Sequence, residues 1–380
     1  MSLRGDSLMS SEEKTLRTVA LVLIATVLLT GALALYLTLA RRPAGAVETE
    51  APSGPRIVFV SDVEGEAALY VMSADGTGME RLSSAGSGMI VYPAWSPDGQ
   101  HLACLHIDEA SDRAAVWVHN LAGEPSRLSA EEVDVMGLKP AWSPDGTRLA
   151  FVASSEGTVQ LIVVHADGSG VERTIALPAQ VRHVYSLAWS PQGDELLLLG
   201  TDNPSWRSYI TPPFIYLVSV DDEGVEQLGQ AWAVDWAPDG RGAVVAPYVN
   251  PAVVYTVDEE RQMQPIAQLE DVFAVAVDWS PDGGHIVVLG TRNQSDVTAL
   301  YIIDAATGEV TVAVDGTEVW MDWVDWSPDG RRLLFTQGPL QRRPGSRLPY
   351  ANLWVYDLDQ RRGQPLTEQE GFAGMGVWSP

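Results

Sequence analysis

Ala141-Trp142-Ser143-Pro144-Asp145-Gly146-Thr147-Arg148-Leu149-Ala150-Phe151 is the stretch that decides the fold. Ser at the first turn position can bond back to the backbone, and Pro presets φ at the second. Asp is tolerated at the third, and Gly closes the turn at the fourth. Apolar segments flank the turn on both sides, which marks a tight hairpin. Trp142, just before it, is a large apolar body suited to packing between neighbouring sheets.

The pattern recurs, and internal repeats take precedence over other signals. Trp-Ser-Pro, once Trp-Ala-Pro, begins at Trp95, Trp142, Trp189, Trp236, Trp279, Trp326 and Trp378. Successive spacings are 47, 47, 47, 43, 47 and 52 residues. Six copies continue into Asp-Gly or, at Gln192-Gly193, Gln-Gly; the seventh is Trp378-Ser379-Pro380. Three more strand-like runs follow each turn, as at 149–152, 161–164 and 171–175. Four short strands per repeat is the content of one propeller blade.

The two ends complement each other. Runs at 57–60, 69–72 and 79–82 precede the first Trp, forming a three-strand set without its own Trp strand. After the last three-strand set comes a lone Trp strand, 374–378. Gly54-Pro55-Arg56-Ile57 aligns with Gly146-Thr147-Arg148-Leu149, so the repeat phase runs out at one end and resumes at the other. An open solenoid would leave both half-units unpaired. The expectation is an all-β chain: a seven-bladed β-propeller closed by its N-terminal and C-terminal strands, preceded by one transmembrane helix.

That helix is expected at residues 18–40, a run of 23 residues without a charge. At about 1.5 Å per residue it reaches roughly 34 Å, enough for a hydrocarbon core of about 30 Å. Residues 1–17 form a short N-terminal tail, residues 41–54 a Pro/Gly/Ala-rich linker, and residues 55–380 the propeller. Ala44-Gly45-Ala46 resembles a small-residue cleavage site, so processing stays open. Arg4, Lys14 and Arg17 precede the span and Arg41, Arg42 and Arg56 follow it, so the positive-inside rule is nearly tied.

The chain carries a formal charge of −26, and residues 43–380 alone carry −28. So acidic a surface repels phosphate backbones, which excludes nucleic acid as a natural partner. Cys104 is the sole cysteine and sits in an apolar run, where it reads as a small core residue. With one cysteine, no disulfide within the chain is possible.

The pattern Ala141 to Phe151, with Leu69 to Gly76, resembles the TolB-like β-propeller repeat, a relative of WD-repeat architecture. The likeness covers residues 55–380. TolB itself has six such blades behind a separate α/β domain and a cleaved signal, and this chain departs on all three counts. The resemblance implies the fold and an extracytoplasmic bacterial location, with the short tail inside and the propeller outside.

Signals for catalysis are few. Similar repeats accompany hydrolase domains in prolyl-oligopeptidase-like enzymes, which need a G-x-S-x-G nucleophile elbow; the sequence has none. The six His residues are scattered, and His101 and His285 both fall six residues after a motif Trp, a solvated strand-start position. No zinc spacing occurs. Carboxylates are more ambiguous. Asp235, Asp278 and Asp325 directly precede motif Trp residues in consecutive copies, and Asp322 lies nearby. On inner strands these could gather near a central channel and attract Ca²⁺ or Mg²⁺, supporting a metal-dependent lyase or hydrolase. The alternative is four separate carboxylates, each bonded to backbone or water within its own blade.

Two connections between second and third strands are long, at 201–213 and 337–350. Function gathers on such loops of a rigid scaffold, and Trp, Tyr and Arg most often anchor interfaces. The first loop offers Trp206, Arg207 and Tyr209; the second offers Arg342, Arg343, Arg347 and Tyr350. The expected function is therefore non-catalytic: a membrane-anchored extracytoplasmic propeller that binds a protein, peptide or glycan on its long-loop face.

Overall fold

The Trp-Ser-Pro segments fold as the turns their chemistry demands. In each full copy the Gly N–H donates to the carbonyl three residues back, as Gly99 to Ser96 and Gly146 to Ser143 at 2.9 Å. These glycines hold φ between +66° and +76°, where any side chain would be strained. The serines do more than shape the turn. Ser96, Ser143, Ser280 and Ser327 are buried to 1% exposure or less. Ser143 Oγ donates to Asp145 at 2.6 Å and accepts from the Arg148 N–H at 3.0 Å, and Ser96, Ser280 and Ser327 repeat the pair. That hydroxyl ties one hairpin arm to the other. The Ser143 hydroxyl, followed by the Thr147 N–H, holds the Asp145 carboxyl down to about 2.

A computed structural model describes residues 54–84, 88–120, 125–131, 133–136, 138–202, 212–240, 243–246, 252–257, 262–292, 298–316, 319–340 and 348–380. The expected tail and membrane span lie outside these residues, as does nearly all of the expected linker. Among the described residues no helix is long and apolar enough to cross a membrane. Every strand in Gly54–Pro380 joins an antiparallel sheet. Four sheets are four-stranded units that begin at His183–Trp189, Ala233–Trp236, Val272–Trp279 and Val319–Trp326. A larger sheet merges the units of Gly88–Trp95 and Ala141–Trp142, because Asp134–Val135 pairs with both Arg148–Ser155 and Ala114–Asn120.

The remaining sheet joins the two ends. Ala373–Trp378 pairs with Arg56–Ser61, with Ile57 opposite Trp378 and Val58 opposite Val377. Ala68–Ser73 and Glu80–Ser84 complete it. Ser379 locks the edge: its N–H donates to the Arg56 carbonyl at 2.7 Å, and its Oγ accepts from the Arg56 N–H at 2.8 Å.

Second strands read as continuous apolar runs, and burial on both faces is the reason. Ile57–Val60, Leu102–Leu105 and Leu196–Leu199 have no residue more than 3% exposed. Their alternate side chains face the units before and after. Ala103 and Leu105 pack with Leu149 and Phe151, and Ala150 and Val152 pack with Leu196 and Leu198. Leu334 and Leu353 in turn pack with Ile57, Phe59 and Tyr70, so the last unit meets the first. Each Leu, Ile, Val or Phe among them contributes roughly 1.5–3 kcal/mol by leaving water.

Trp side chains stitch the units together at their inner strands. The indole N–H of five motif Trp residues reaches the carbonyl just before the preceding motif Trp. Trp142 donates to Ala94 at 3.0 Å, Trp189 to Ala141 at 2.9 Å, Trp236 to Ala188 at 3.2 Å and Trp326 to Asp278 at 3.3 Å. Trp95 donates to Val377 at 3.4 Å, across 282 residues of sequence. Six residues after a motif Trp, four described side chains rest against an indole of the next unit. Arg148 lies 4.7 Å over the Trp189 ring and Arg332 4.8 Å over Trp378, while His101 and His285 lie beside Trp142 and Trp326.

Ser143→Ala is expected to lower the unfolding free energy by about 1–2 kcal/mol, since the buried Arg148 N–H and the Asp145 carboxylate both lose a partner. Denaturant melts measure it. The Asp145 contribution is present above its ordinary value of 3.8 and disappears as pH falls towards about 2, so the deficit should narrow below pH 3. Removing residues 373–380 is expected to abolish the cooperative thermal transition of the whole domain, because it unpairs Arg56–Ser61 and strips the last interface; an unchanged melting temperature would refute the closure.

Candidate functional site: the axial channel

First strands touch one another in cyclic order, and their bulges shape what lies between them. Register shifts fall at Val91/Ala94, Val184/Ser186, Ala274/Ala276 and Asp322/Val324, a few residues before the motif Trp. Tyr92, Trp323 and Met375 carry φ of 58°, 56° and 55°, left-handed backbone that such side chains rarely adopt. Bulges re-aim side chains. All three residues stand three before a motif Trp, and the residue at that position in the next copy is Lys139, the only lysine after residue 14.

Tyr92, Trp323 and Lys139 form one layer. The Tyr92 and Trp323 rings lie 5.5 Å apart, and the Lys139 ammonium sits 5.5 Å from the Trp323 ring centroid. Burial, with the Asp322 charge, raises the Tyr92 phenol above its ordinary range. Sequence reading missed Lys139, Tyr92 and Trp323. The available signal was their shared repeat position, but nothing in a single chain says that a bulge turns that position inward.

One step closer to each Trp lie the carboxylates that the sequence singled out. Asp235 Oδ2 accepts from the Trp279 N–H at 3.0 Å, and Asp325 Oδ2 accepts from the Trp378 N–H at 2.8 Å. Both bonds cross to the next unit, whereas Asp322 accepts from its own neighbour, the Trp323 N–H, at 2.8 Å. Confinement within each blade therefore fails for Asp235 and Asp325. Asp278 bonds the Asp235 carboxyl instead. Burial first, then the charges of Asp235 and Asp325, push Asp278 well above the carboxylate range. Burial also raises Asp235, opposed by the bonds from Trp279 and Asp278. Asp278 is the member of the pair pushed further up, because two like charges in contact oppose each other's ionisation.

Asp325 is raised by burial to about 6 even though the Lys139 charge pulls it down. Asp322 is raised by burial as well. Asp235, Asp278 and Asp325 are nonetheless only half-buried, and Asp322 is exposed. The two facts agree for groups on the wall of a narrow channel, which water reaches but protein surrounds. The channel opens into a cavity of about 590 Å³ lined by Trp95, Trp142, Trp326, Trp378, Lys139 and Asp325, with motif prolines at its rim. Its apolar walls and few convergent polar groups are the features of a ligand site.

The four acidic residues do not gather as a metal cage. Among the described residues, the three His, Cys, Asp or Glu side chains whose ligand atoms converge within 4.8 Å are Cys104, His106 and His119. Cys104 is fully buried, as expected, but His106 and His119 are not scattered: their Nε2 atoms lie 2.9 Å apart. Burial holds both imidazoles neutral, lowering His106 to about 3 and His119 to about 4. Of the expected loop-face residues, Trp206, Arg207, Tyr209, Arg342, Arg343 and Arg347 lie outside the described residues. Tyr350 is exposed, next to Ala351, which bridges to Phe372.

The family model of the TolB beta propeller domain matches residues 84–246. Those residues are similar to TolB-type propeller repeats. No curated protein matches the chain. Among solved structures, TolB from Acinetobacter baumannii aligns with a TM-score of 0.53 at 18% identity, covering 86% of this chain and 66% of that one. An oligogalacturonate lyase in complex with manganese aligns at 0.60 and 15% identity, over 74% and 82%. The β-propeller domain of the Trilobed protease from Pyrococcus furiosus aligns at 0.56 and 16% identity, over 83% and 97%. At these identities the likeness shows an all-β, propeller-like fold and nothing about chemistry. The Pyrococcus propeller has an open velcro topology, whereas here the terminal strands pair.

Asp278→Asn removes the group whose carboxyl is most strongly raised. Asp278 and Asp325 retain protons in the folded state that the unfolded chain releases, so they cost stability as pH rises above 3.8, and for Asp325 that cost levels off above about 6. The variant is expected to melt a few degrees higher than wild type at pH 8 and nearly level with it at pH 3, in thermal scans across pH.

Proposed function

We propose that this chain is a non-catalytic, seven-bladed β-propeller, held at a membrane through residues 18–40 with the propeller outside the cytoplasm, that captures a polypeptide partner. The blade count rests on splitting the nine-stranded sheet at Asp134–Val135, and on seven motif strands each bonded to the next. One observation supports the binding reading above others: the channel mouth, where Trp and Pro walls surround Asp325 and Lys139. Such a mouth suits a chain segment that lays apolar and proline residues on the rim and points a basic side chain inward. The charge of −28 on residues 43–380 favours such a partner and steers it in. Trp206, Arg207, Tyr209, Arg342, Arg343, Arg347 and Tyr350 on the two long connections supply a second contact surface.

A metal-dependent lyase or hydrolase is the second reading, supported by four carboxylates around one channel. Lys139 weakens it, because its ammonium already supplies the positive charge that Ca²⁺ or Mg²⁺ would bring.

Photo-crosslinking residues placed at Pro97 and at Ser208 of the full chain, in intact cells, are expected to trap a polypeptide partner. Trp206→Ala with Arg343→Ala should reduce that capture at least tenfold, about 1.4 kcal/mol, without lowering the melting temperature. No adduct at either position would reject binding, and heat released with Ca²⁺ or Mg²⁺ in calorimetry would favour the enzyme.

A further inference from the structure

The Cys104 cluster lies away from the axial channel and plays no part in the reading above. It sits on the strand pair His101–Asp108 and Ala114–Asn120, in the register Leu102 to His119, Cys104 to Trp117 and His106 to Ala115. Opposed residues and every second residue of an antiparallel pair share a face. Cys104, His106, Trp117 and His119 therefore all project from one side of the sheet. The two histidines approach from opposite ends over Cys104, and the His106 ring stacks on Trp117 with centroids 4.8 Å apart.

We propose that Cys104, His106 and His119 form a three-coordinate site for one Cu(I) ion. The geometry needs little adjustment. With metal–nitrogen bonds near 2.0 Å in a trigonal plane, the two Nε2 atoms would stand about 3.5 Å apart. They are now 2.9 Å apart, so the rings need part by only about half an ångström. A mutual hydrogen bond accounts for the two nitrogens alone. It leaves unexplained why both rings converge on the chain's one thiol, with all three ligand atoms within 4.8 Å.

Charge selects the ion. Cys104 belongs to the cluster of Val58, Val60, Leu69, Leu102 and Val377, between the closing sheet and its neighbour. A thiolate with Cu(I) is neutral there, whereas a thiolate with Zn²⁺ would leave a net positive charge in an apolar core. Two imidazoles and a thiolate are a soft donor set, and zinc structural sites take four ligands. Among the described residues no carboxylate or fourth His or Cys joins the three. Binding releases the Cys104 proton to solvent as the copper–sulfur bond forms, with no change of oxidation state. Access exists on the His106 side, where a cavity of about 440 Å³ is lined by His106, Asp108, Arg113 and Trp117.

The full chain in detergent, titrated anaerobically with Cu(I) against bicinchoninate, is expected to withdraw one equivalent of copper and to melt at higher temperature when loaded. X-ray absorption should show two nitrogen neighbours and one sulfur. Cys104→Ser should lose the sulfur and bind at least tenfold more weakly. His106→Gln, at the half-buried edge of the cluster, should also weaken binding at least tenfold with an unchanged apo melt, and it decides the matter if the serine variant does not fold. Failure to compete with bicinchoninate, a copper shell without sulfur, wild-type affinity in His106→Gln, or retention of Zn²⁺ in preference to Cu(I) would each overturn the site.

Discussion

The contact on which everything else depends is the bond from a motif Trp to the inner strand of the preceding unit. An indole is long enough to span the gap between neighbouring sheets, and its single N–H must find an acceptor once buried. The carbonyl before the previous motif Trp meets that need, so each unit fixes the spacing of the next. Because Trp95 reaches Val377, the series has no free end. A stack of sheets, each marginal on its own, becomes one cooperative body whose last interface depends on its first.

Two places depart from the rule, and they explain the carboxylates. The indoles of Trp279 and Trp378 find no acceptor. At both, the preceding unit carries Asp, and its carboxylate takes the Trp main-chain N–H instead. Asp235 and Asp325 thus do the connecting work that carbonyls do elsewhere. Asp278 differs: its carbonyl serves the Trp326 indole, and its carboxyl is left to meet Asp235. The acidity of the channel is in part a by-product of how the units are joined, which limits how much chemistry can be read from it.

The bulges tie architecture to binding in the same way. Where a bulge precedes the motif Trp, as at Tyr92, Trp323 and Met375, the residue three before it takes left-handed backbone and is re-aimed. Tyr92, Trp323 and Met375, with Lys139 at the same repeat position, differ in chemistry because the stitching does not constrain them. Variable side chains on a fixed frame are the arrangement by which propellers of one design can serve different partners.

The amino-acid sequence by itself determined the repeat: a local turn, written as Trp-Ser-Pro-Asp-Gly, and four apolar runs per copy are short-range facts, and the complementary half-units at the two ends already required them to meet. It also marked Asp235, Asp278 and Asp325, since they stand at a fixed offset from the Trp. Tertiary structure alone decided which groups come together across units. That the Asp278 carboxyl meets Asp235, that Lys139 enters the channel, and that His106 and His119 converge over Cys104 all depend on strand register and on how the units pack. The spacing of letters along a chain carries no information about those, because a shift of one residue turns a side chain to the opposite face.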